Sequence, residues 1–539
     1  MIVGRAVAPA TAASWAYSED IPGSRCGPED GPWPRQYQVL SEKDVWRELK
    51  ELAKPHSVVF DQEKGYRADS INFQPSPTTR TQDRYVVTEI SIRGQKWNLT
   101  GVFDGHLGDV TVEHVAYHLP IIVQEFLQAA LEQEPEKELT PEYVGDLFSQ
   151  SILAFDDAIA HDVLDLFGGS IEELEKHSDT DIKRIINDQH LGGANWRKAR
   201  LCMYGTTALV ALIDPDHVNL WVANLGDCQA VLITPDDEGV KDWQIDFLTN
   251  AHNGDNDTEL ERIRAEHPGE DECILNRRVL GALAPTRCEY PALLLSLGFF
   301  RLPPDDLASS RLNMHVLMCI VPIGSFIELS TRARESLLVS ILFGLGDIPF
   351  KQPPAFTRRV LYNLFPGFHN TSPWEEFLKR NKTPPYITAK PEIAHRKLRR
   401  APSDPPPPPQ LTFTPASTDS LAKYSYRPGE IEPEGHTVHR PTFLVLCSDG
   451  FTDLCSSEGP TRIFESWARG MMELWSLGEV GEGGKGGSGV KEDVRGSGNM
   501  ALRLLRRSVG DDRFSVSKVL TLDMDEAWID DTAVVVVTV

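Results

Sequence analysis

The chain has 539 residues, and its 79 acidic and 54 basic side chains give a formal net charge of −25. This length can bury a large core and allows about two to four domains, and 41% hydrophobic with 25% charged residues is a globular composition. A general nucleic-acid binder would carry a basic face, so the acidic balance argues against that class. Two explanations of the charge stay open: an acidic surface for solubility, or carboxylates gathered around metal ions.

Cysteine spacing and hydropathy restrict the compartment. None of the eight cysteines forms a C-x-x-C pair, which disfavours a disulfide framework or zinc ribbon and favours a reducing compartment. No run of about 18 apolar residues occurs, so we predict no transmembrane segment. Residues 1–35 are rich in Gly, Pro, Ala and Ser. They predict a disordered leader, with a weak transit segment as the alternative because acids are absent from its first half but arginine is scarce.

Helical and strand periodicities alternate along the chain. In chain order, the predicted elements are a helix over 39–52, strands over 85–92 and 99–103, helices over 111–131 and 141–167, strands over 206–213, 218–223 and 229–233, a helix over 259–267, and strands over 443–447 and 533–539. Three stretches interrupt this alternation. Residues 291–345 are Leu-rich without a period, residues 399–439 form a Pro-rich loop, and residues 478–496 form a Gly-rich loop.

Aspartates lie at the ends of apolar strands in five places, usually beside glycine or another acid. They are Asp83, Asp104, Asp227, Asp449 and Asp530. Carboxylates delivered to one rim of a sheet repel one another unless cations neutralise them. Their hard oxygens suit Mg²⁺ or Mn²⁺. Each dipeptide alone is common turn chemistry, but five in one chain predict a metal site.

Seven segments carry a resemblance to a known family. They are residues 101–106 (GVFDGH), 204–208 (YGTTA), 222–227 (VANLGD), 248–252 (LTNAH), 278–281 (RVLG), 446–450 (LCSDG) and 530–534 (DDTAV). Their order resembles the metal-dependent protein phosphatases, the type 2C serine/threonine phosphatases, over about residues 60–539. Residues 259–268, 384–392 and 517–521 are similar to the pyruvate dehydrogenase phosphatase branch. The resemblance implies an α+β fold, a central β-sandwich of two mainly antiparallel sheets flanked by helices on both faces in α-β-β-α layers.

The same resemblance implies a metal shell of two Mg²⁺ or Mn²⁺ ions, with a weaker third site. Its members would be Asp104 as a bridge, the Gly105 carbonyl, Asp449 and Asp530 as further ligands, Asp83 holding a water, and Asp227 and Asp453 at the third site. Turn and helix capping is the alternative for Asp227 and Asp453.

The implied reaction is hydrolysis of phosphoserine and phosphothreonine monoesters. The ions activate a water for in-line attack on phosphorus, so Asp104 and Asp449 are catalytic through them. His106 is placed to protonate the leaving alkoxide. No phosphoenzyme is needed, so we expect Cys447 to be a core strand residue and His252 to be structural.

Two departures from the family pattern affect the site. Gln82 stands where the family usually has glutamate, which removes one charge beside Asp83. Thr78 stands where the family often has an arginine that binds phosphate. Arg80 or Arg84 could replace that arginine, and a plain surface charge is the alternative for both.

A third departure interrupts a family motif. The passage begins at residues 284–287 and continues at residues 345–351, so residues 288–344 read as an anomalous insert. Our hypothesis is a possible translated intron, and a genuine lineage insertion is the rival. We therefore expect one phosphatase catalytic domain over residues 36–539, interrupted by this insert and the two loops.

The expected function is a protein serine/threonine phosphatase, with the pyruvate dehydrogenase complex as the phosphoprotein substrate that the branch implies. The branch also implies the mitochondrial matrix, and the cytoplasm is the alternative. The rival function is a catalytically impaired pseudophosphatase that binds phosphoproteins as a scaffold. A metal-dependent nuclease would need a basic groove, which the net charge disfavours.

Overall fold

The computed structural model describes residues 14–18, 34–76, 79–133, 137–236, 243–282, 344–370, 372–398, 441–455, 458–476, 498–522 and 528–539. The strands are β1 Ser14–Ser18, β2 Arg35–Val39, β3 His56–Asp61, β4 Tyr66–Phe73, β5 Arg84–Ile92, β6 Gln95–Phe103, β7 Gly105–His106, β8 Gly205–Thr206, β9 Ala208–Ile213, β10 Asn219–Leu225, β11 Gln229–Pro235, β12 Trp243–Phe247, β13 Ile274–Leu275, β14 Arg278–Val279, β15 Leu345–Gly346, β16 Glu392–Lys397, β17 Phe443–Cys447 and β18 Thr532–Thr538.

The α-helices are α1 Glu42–Ala53, α2 Val110–Gln133, α3 Pro141–Leu164, α4 Ile171–Glu175, α5 Asp179–Ile186, α6 Ala194–Leu201, α7 Asp257–Glu266, α8 Ile348–Lys351, α9 Pro354–Phe356, α10 Ser372–Arg380, α11 Asp449–Leu454, α12 Pro460–Ser476, α13 Met500–Ser508 and α14 Arg513–Thr521.

Two antiparallel sheets lie at the centre of the fold. One has the strand order β16-β10-β9-β6-β5, and the other has the order β12-β11-β17-β18-β4-β3. The last strand shows how they stack. Ala533, Val535 and Val537 pack in the core between the sheets, whereas Val534 and Val536 pack on the helix side. Because side chains alternate along a strand, a strand covered on both faces is a continuous apolar run, as this one is.

Helices cover both outer faces of the sandwich. Leu119 of α2 and Phe148 of α3 share a core with Val210 of β9 on the five-stranded sheet. Leu49 of α1 and Phe464 of α12 belong to the separate core on the six-stranded sheet, together with residues of α13 and α14. The layers are therefore α-β-β-α, and the predicted α+β sandwich is confirmed.

Most predicted elements occur within a few residues of their expected limits. The predicted strand 443–447 is β17, and the predicted helix 141–167 is α3 followed by a 3₁₀ turn at Asp165–Phe167. The predicted helix 39–52 begins only at Glu42, because Ser41 has an extended backbone and its side chain accepts from the Asp44 N–H as an N-cap. Cys447 is a buried residue of β17, as expected.

The predicted disordered leader requires a correction. Residues 14–18 form β1, which pairs antiparallel with β2. The strand β2 is itself held by α14, since the Gln38 N–H donates to Thr521 Oγ1 and the Leu40 N–H to Ser517 Oγ. Gly- and Pro-rich composition carries no information about a pairing partner further along the chain, so composition alone misled the prediction here.

Several predictions fall outside the described residues. They concern the rest of the leader, residues 288–343, the Pro-rich loop 399–439 and the Gly-rich loop 478–496. Five cysteines are described, and all are free and buried: Cys202, Cys228, Cys273, Cys447 and Cys455. Among the helices that the structure describes, none has the length and apolar character needed to cross a membrane.

Candidate active site

Three carboxylates from different strand ends converge at one rim of the sandwich. Asp104 follows β6 of the five-stranded sheet, and Asp449 follows β17 of the six-stranded sheet. Asp227 lies in the turn that joins β10 to β11, where the chain crosses from one sheet to the other. One oxygen of each carboxylate lies within 4.8 Å of the others. Sheet stacking thus brings together residues that are far apart in the chain.

The backbone around Asp104 is held by the threonines of the YGTTA segment. The Asp104 N–H donates to Thr207 Oγ1 at 2.8 Å. The Asp104 carbonyl accepts from Thr206 Oγ1 at 3.0 Å and from the Thr207 N–H at 2.9 Å. These contacts explain why two threonines stand at this point: they position the Asp104 carboxylate.

Gly105 is required by close packing. A Cβ at this position would lie 2.7 Å from Val112 and 2.8 Å from the Gln82 carbonyl oxygen, distances that real Cβ atoms do not adopt. The chain therefore passes tightly between α2 and the segment before β5. This leaves the backbone beside Asp104 free of side-chain bulk, as a carbonyl ligand needs.

Asp83 ties the start of β5 to the other two motifs. Its Oδ2 accepts from Ser448 Oγ at 2.6 Å and from the Ala533 N–H at 2.8 Å. Its Oδ1 is buried and has no hydrogen-bond partner in the described part of the chain. The same holds for Asp227 Oδ1 and Asp449 Oδ1. Buried polar atoms are normally paired, so three orphaned carboxylate oxygens indicate ligands that the protein itself does not supply.

The pKa values of the carboxyl groups also indicate bound cations. Burial, with repulsion from neighbouring carboxylates, raises the pKa of Asp83, Asp104 and Asp227 well above the usual aspartate range. Within the described residues, none of these groups pairs with Lys or Arg. Carboxylates without a cationic side-chain partner, several of them with a free oxygen, are the donor set that Mg²⁺ and Mn²⁺ prefer, so the residues fit such ions.

Asp530 and Asp453 lie outside the three-carboxylate cluster. Asp530 Oδ1 accepts from the Asp531 N–H at 3.0 Å. Asp453 lies one turn after Asp449 on α11, near enough to Asp227 to contribute to its raised pKa. Metal binding by Asp530 and Asp453 stays a prediction. Asp531, which the sequence did not single out, is buried and accepts from Gln74 Nε2 at 2.6 Å and from the Gln82 N–H.

His106 has a partner that sequence reasoning missed. Its Nε2 lies 2.8 Å and 2.9 Å from the two carboxylate oxygens of Asp347. A small sheet makes this possible, because the strand order β15-β8-β7 sets residues 345–346 and 105–106 on either side of residues 205–206. The sequence did contain a signal for this contact, since residues 345–347 were recognised as the continuation of an interrupted family motif.

The two arginines proposed for phosphate binding differ in their surroundings. Arg84 donates to the carbonyls of Thr81 and Asp83, both at 2.8 Å, and pairs with Glu113 at 2.7 Å. These contacts occupy its guanidinium in holding the segment before β5. Arg80 is exposed and makes no ion pair within the described ranges. Arg80 is therefore the better placed of the two to meet a ligand, and Thr78 lies outside the described residues.

His252 supports the turn that carries Asp227. The Gly226 N–H donates to His252 Nδ1 at 3.4 Å, and the His252 N–H donates to the Gly226 carbonyl at 3.0 Å. Its Nε2 faces Glu392 at 3.3 Å. The expected structural role agrees with these contacts.

Comparisons with known proteins agree with the phosphatase resemblance of the sequence motifs. A family model described as protein phosphatase 2C matches residues 89–288. The mitochondrial pyruvate dehydrogenase [acetyl-transferring] phosphatase 1 of Homo sapiens is 25% identical over 491 residues, which cover 84% of this chain and 74% of that protein. The namesake enzyme of Saccharomyces cerevisiae is 30% identical over 187 residues, which cover 35% of this chain and 29% of that protein.

One further curated relative and one solved structure also match this chain. A protein phosphatase 2C homolog of Schizosaccharomyces pombe is 24% identical over 512 residues, which cover 92% of this chain and 84% of that protein. A crystal structure of serine-threonine phosphatase 2C from Toxoplasma gondii covers 90% of this chain and 98% of its own, with 12% identity and a TM-score of 0.39.

The matched family model and the curated relatives support a protein phosphatase, in a family that generally depends on Mg²⁺ or Mn²⁺. With the motifs and the matches above, the chain is similar to the protein phosphatase 2C family, whose model matches residues 89–288. It is similar over most of its length to the pyruvate dehydrogenase phosphatase branch of that family.

Proposed function

We propose that the protein hydrolyses phosphoserine and phosphothreonine in proteins with the help of two Mg²⁺ or Mn²⁺ ions. The observation that carries the proposal is the rim cluster of Asp104, Asp227 and Asp449, whose oxygens lie within 4.8 Å of one another. Orphaned oxygens on Asp227 and Asp449 support it, because a buried carboxylate without a partner is costly unless a cation binds there.

The family pattern assigns the ligands. Asp104, the Gly105 carbonyl, Asp449 and Asp530 would hold the two ions, with Asp83 behind them and Asp227 and Asp453 at a weaker third site. When bound, such ions lower the pKa of water and neutralise charge on phosphoryl oxygens.

The chain's own residues supply the remaining chemistry. His106 is buried beside Asp104 and has one ring nitrogen, Nδ1, without a partner in the described structure. We assign to it protonation of the leaving serine or threonine oxygen. Arg80, exposed just before Asp83, binds the phosphate of the substrate.

The substrate and compartment follow from similarity. Relatives at 25% identity are named as mitochondrial pyruvate dehydrogenase phosphatases. We infer that the phosphorylated pyruvate dehydrogenase complex is the substrate and the mitochondrial matrix the compartment. The cytoplasm is the alternative compartment.

We also propose that residues 36–539 form one catalytic domain into which residues 288–344 are inserted. The chain on both sides of the stretch returns to the same site, since β15 after it pairs with β8 before it. The family match likewise ends at residue 288.

The decisive assay is release of phosphate from a phosphoserine peptide with Mn²⁺. The wild type should turn over, and Asp449→Asn should lose at least about 100-fold in kcat, because Asp449 holds the ions. Asp216→Asn, an exposed aspartate on the β9–β10 turn, is the matched control and should keep full activity. An unchanged rate for Asp449→Asn would refute the assignment.

The alternative, a phosphoprotein-binding scaffold, is favoured by one observation. Gln82 replaces the family's glutamate, and its Oε1 is buried without a partner in the described residues. Tight binding of phosphopeptide without turnover, in the presence of Mn²⁺, would select this alternative. Assay of the phosphorylated pyruvate dehydrogenase complex then tests the substrate.

A further inference from the structure

The pair of His106 and Asp347 is isolated from solvent. The side chains are 2% and 3% exposed, and one imidazole nitrogen meets both carboxylate oxygens. A carboxylate accepts hydrogen bonds, so Nε2 carries the proton in this contact. The other nitrogen, Nδ1, is buried and has no partner among the described residues.

The backbone of β8 runs close to this pair at Gly205. A Cβ at Gly205, on the central strand β8, would overlap both the Asp347 carboxylate and His106 Nε2. Any side chain at Gly205 would therefore separate the two groups. Close approach of three strands, rather than a flexible turn, is what the glycine provides here.

Asp347 is held in place by its own supports. It has a left-handed backbone with φ of 50°, which aspartate tolerates better than most residues. Its N–H donates to the Tyr204 carbonyl at 3.0 Å. On α3, Asp156 accepts from the Gly346 N–H of β15 at 2.8 Å and from Lys351 Nζ of α8 at 2.7 Å, so its two partners flank Asp347 in the chain. A buried ion pair thus anchors the segment that presents Asp347.

We propose that Asp347 is the positioning residue of His106 in the phosphatase reaction, an inference that rests on the proposed function. Asp347 holds Nε2–H and so leaves Nδ1, which has no partner in the described structure, as the nitrogen available to the leaving oxygen of the substrate. As the bond between phosphorus and the serine or threonine oxygen breaks, the proton on Nδ1 moves to that oxygen and the alcohol departs. The attacking water keeps its oxygen on phosphorus, and a proton that it releases restores Nδ1.

The leaving group provides the first test. An alkoxide needs protonation, whereas p-nitrophenolate leaves without it. Asp347→Asn should therefore lower kcat about 100-fold on a phosphoserine peptide and leave kcat on p-nitrophenyl phosphate within about threefold, with KM unchanged on both. Equal losses on both substrates would overturn the proposal and leave Asp347 a structural residue.

A matched control separates positioning from folding. Asp156→Asn disrupts the anchor of the same segment but does not touch His106. It should lower the melting temperature and change both substrates by the same factor. If Asp156→Asn reproduces the substrate-dependent loss of Asp347→Asn without unfolding, the specific role of Asp347 is refuted.

A double-mutant cycle tests whether Asp347 acts through His106. In a His106→Gln background, adding Asp347→Asn should cost less than about twofold, because groups that act as one unit are not additive. Multiplicative losses would overturn the proposal.

A spectroscopic readout does not depend on activity. In ¹⁵N-histidine NMR spectra of the metal-free full chain, His106 should show a protonated, slowly exchanging Nε2 that Asp347→Asn abolishes. Protonation at Nδ1 instead would refute the proposal. If this signature is present but the wild type turns over neither substrate with Mn²⁺, the proposed phosphatase function has failed while the pairing stands.

Discussion

Removal of one carboxylate from the rim should stabilise the metal-free protein and abolish its response to Mn²⁺. The carboxylate oxygens lie within 4.8 Å of one another, and two unit charges at that upper limit repel by about 3.5 kcal/mol at an effective dielectric constant of about 20. Part of this repulsion is already relieved, because the raised pKa values of Asp83, Asp104 and Asp227 favour their neutral forms. We therefore expect Asp449→Asn to gain about 1–2 kcal/mol of metal-free stability at pH 8.

The raised pKa values also predict how the stability of the metal-free protein changes with pH. A carboxyl whose folded-state pKa is raised binds more protons in the folded than in the unfolded chain. Stability is then lost as pH rises above the unfolded value of about 4. The metal-free wild type should accordingly be less stable at pH 8 than at about pH 4 through these groups, and Asp449→Asn should flatten that dependence.

The assay is thermal or urea unfolding with and without Mn²⁺. Ions that bind only the folded state at 100 times their Kd add about 2.7 kcal/mol, so the wild type should show a shift of this order at pH 8. Asp449→Asn should show less than about 1 kcal/mol, and Asp216→Asn should match the wild type. Lower metal-free stability of Asp449→Asn, with an undiminished Mn²⁺ shift, would refute the reasoning.

Three further predictions concern other parts of the site. Gly105→Ala should destabilise the fold by about 1–3 kcal/mol in urea unfolding, because its Cβ would meet Val112. A neutral effect on stability would contradict the packing argument. Arg80→Ala should raise KM for phosphopeptide about tenfold and leave stability unchanged. Arg84→Ala should mainly lower stability, since Arg84 contacts backbone carbonyls and Glu113. The reverse pattern would exchange the roles of the two arginines. Deletion of residues 288–343 should yield a folded, Mn²⁺-dependent enzyme. The deletion keeps Gly344, because its carbonyl accepts a hydrogen bond from Lys351. Unbroken RNA reads through the region would reject the translated-intron hypothesis.

Residue spacing accounts for the elements that could be predicted. An amphipathic helix such as α3 and a strand buried on both faces such as β18 repeat their apolar residues at the period of the backbone, so local sequence contains the information. Strands of two residues, such as β8 and β15, have no period to detect. The edge strand β16 was missed for a related reason, because its residues are half-exposed and polar.

The sequence by itself determined the chemistry of this protein: aspartates at strand ends, glycines beside them and one histidine next to Asp104. Those residue types and their order sufficed for the resemblance to the family, since metal-ligand chemistry depends on the groups themselves. Only the tertiary structure decided the neighbours. It placed Asp227 with Asp104 and Asp449 while Asp530 lies outside that cluster, and it brought Asp347 to His106 across 241 positions. Such contacts depend on how two sheets stack and which short strands pair, and no local period in the chain encodes either.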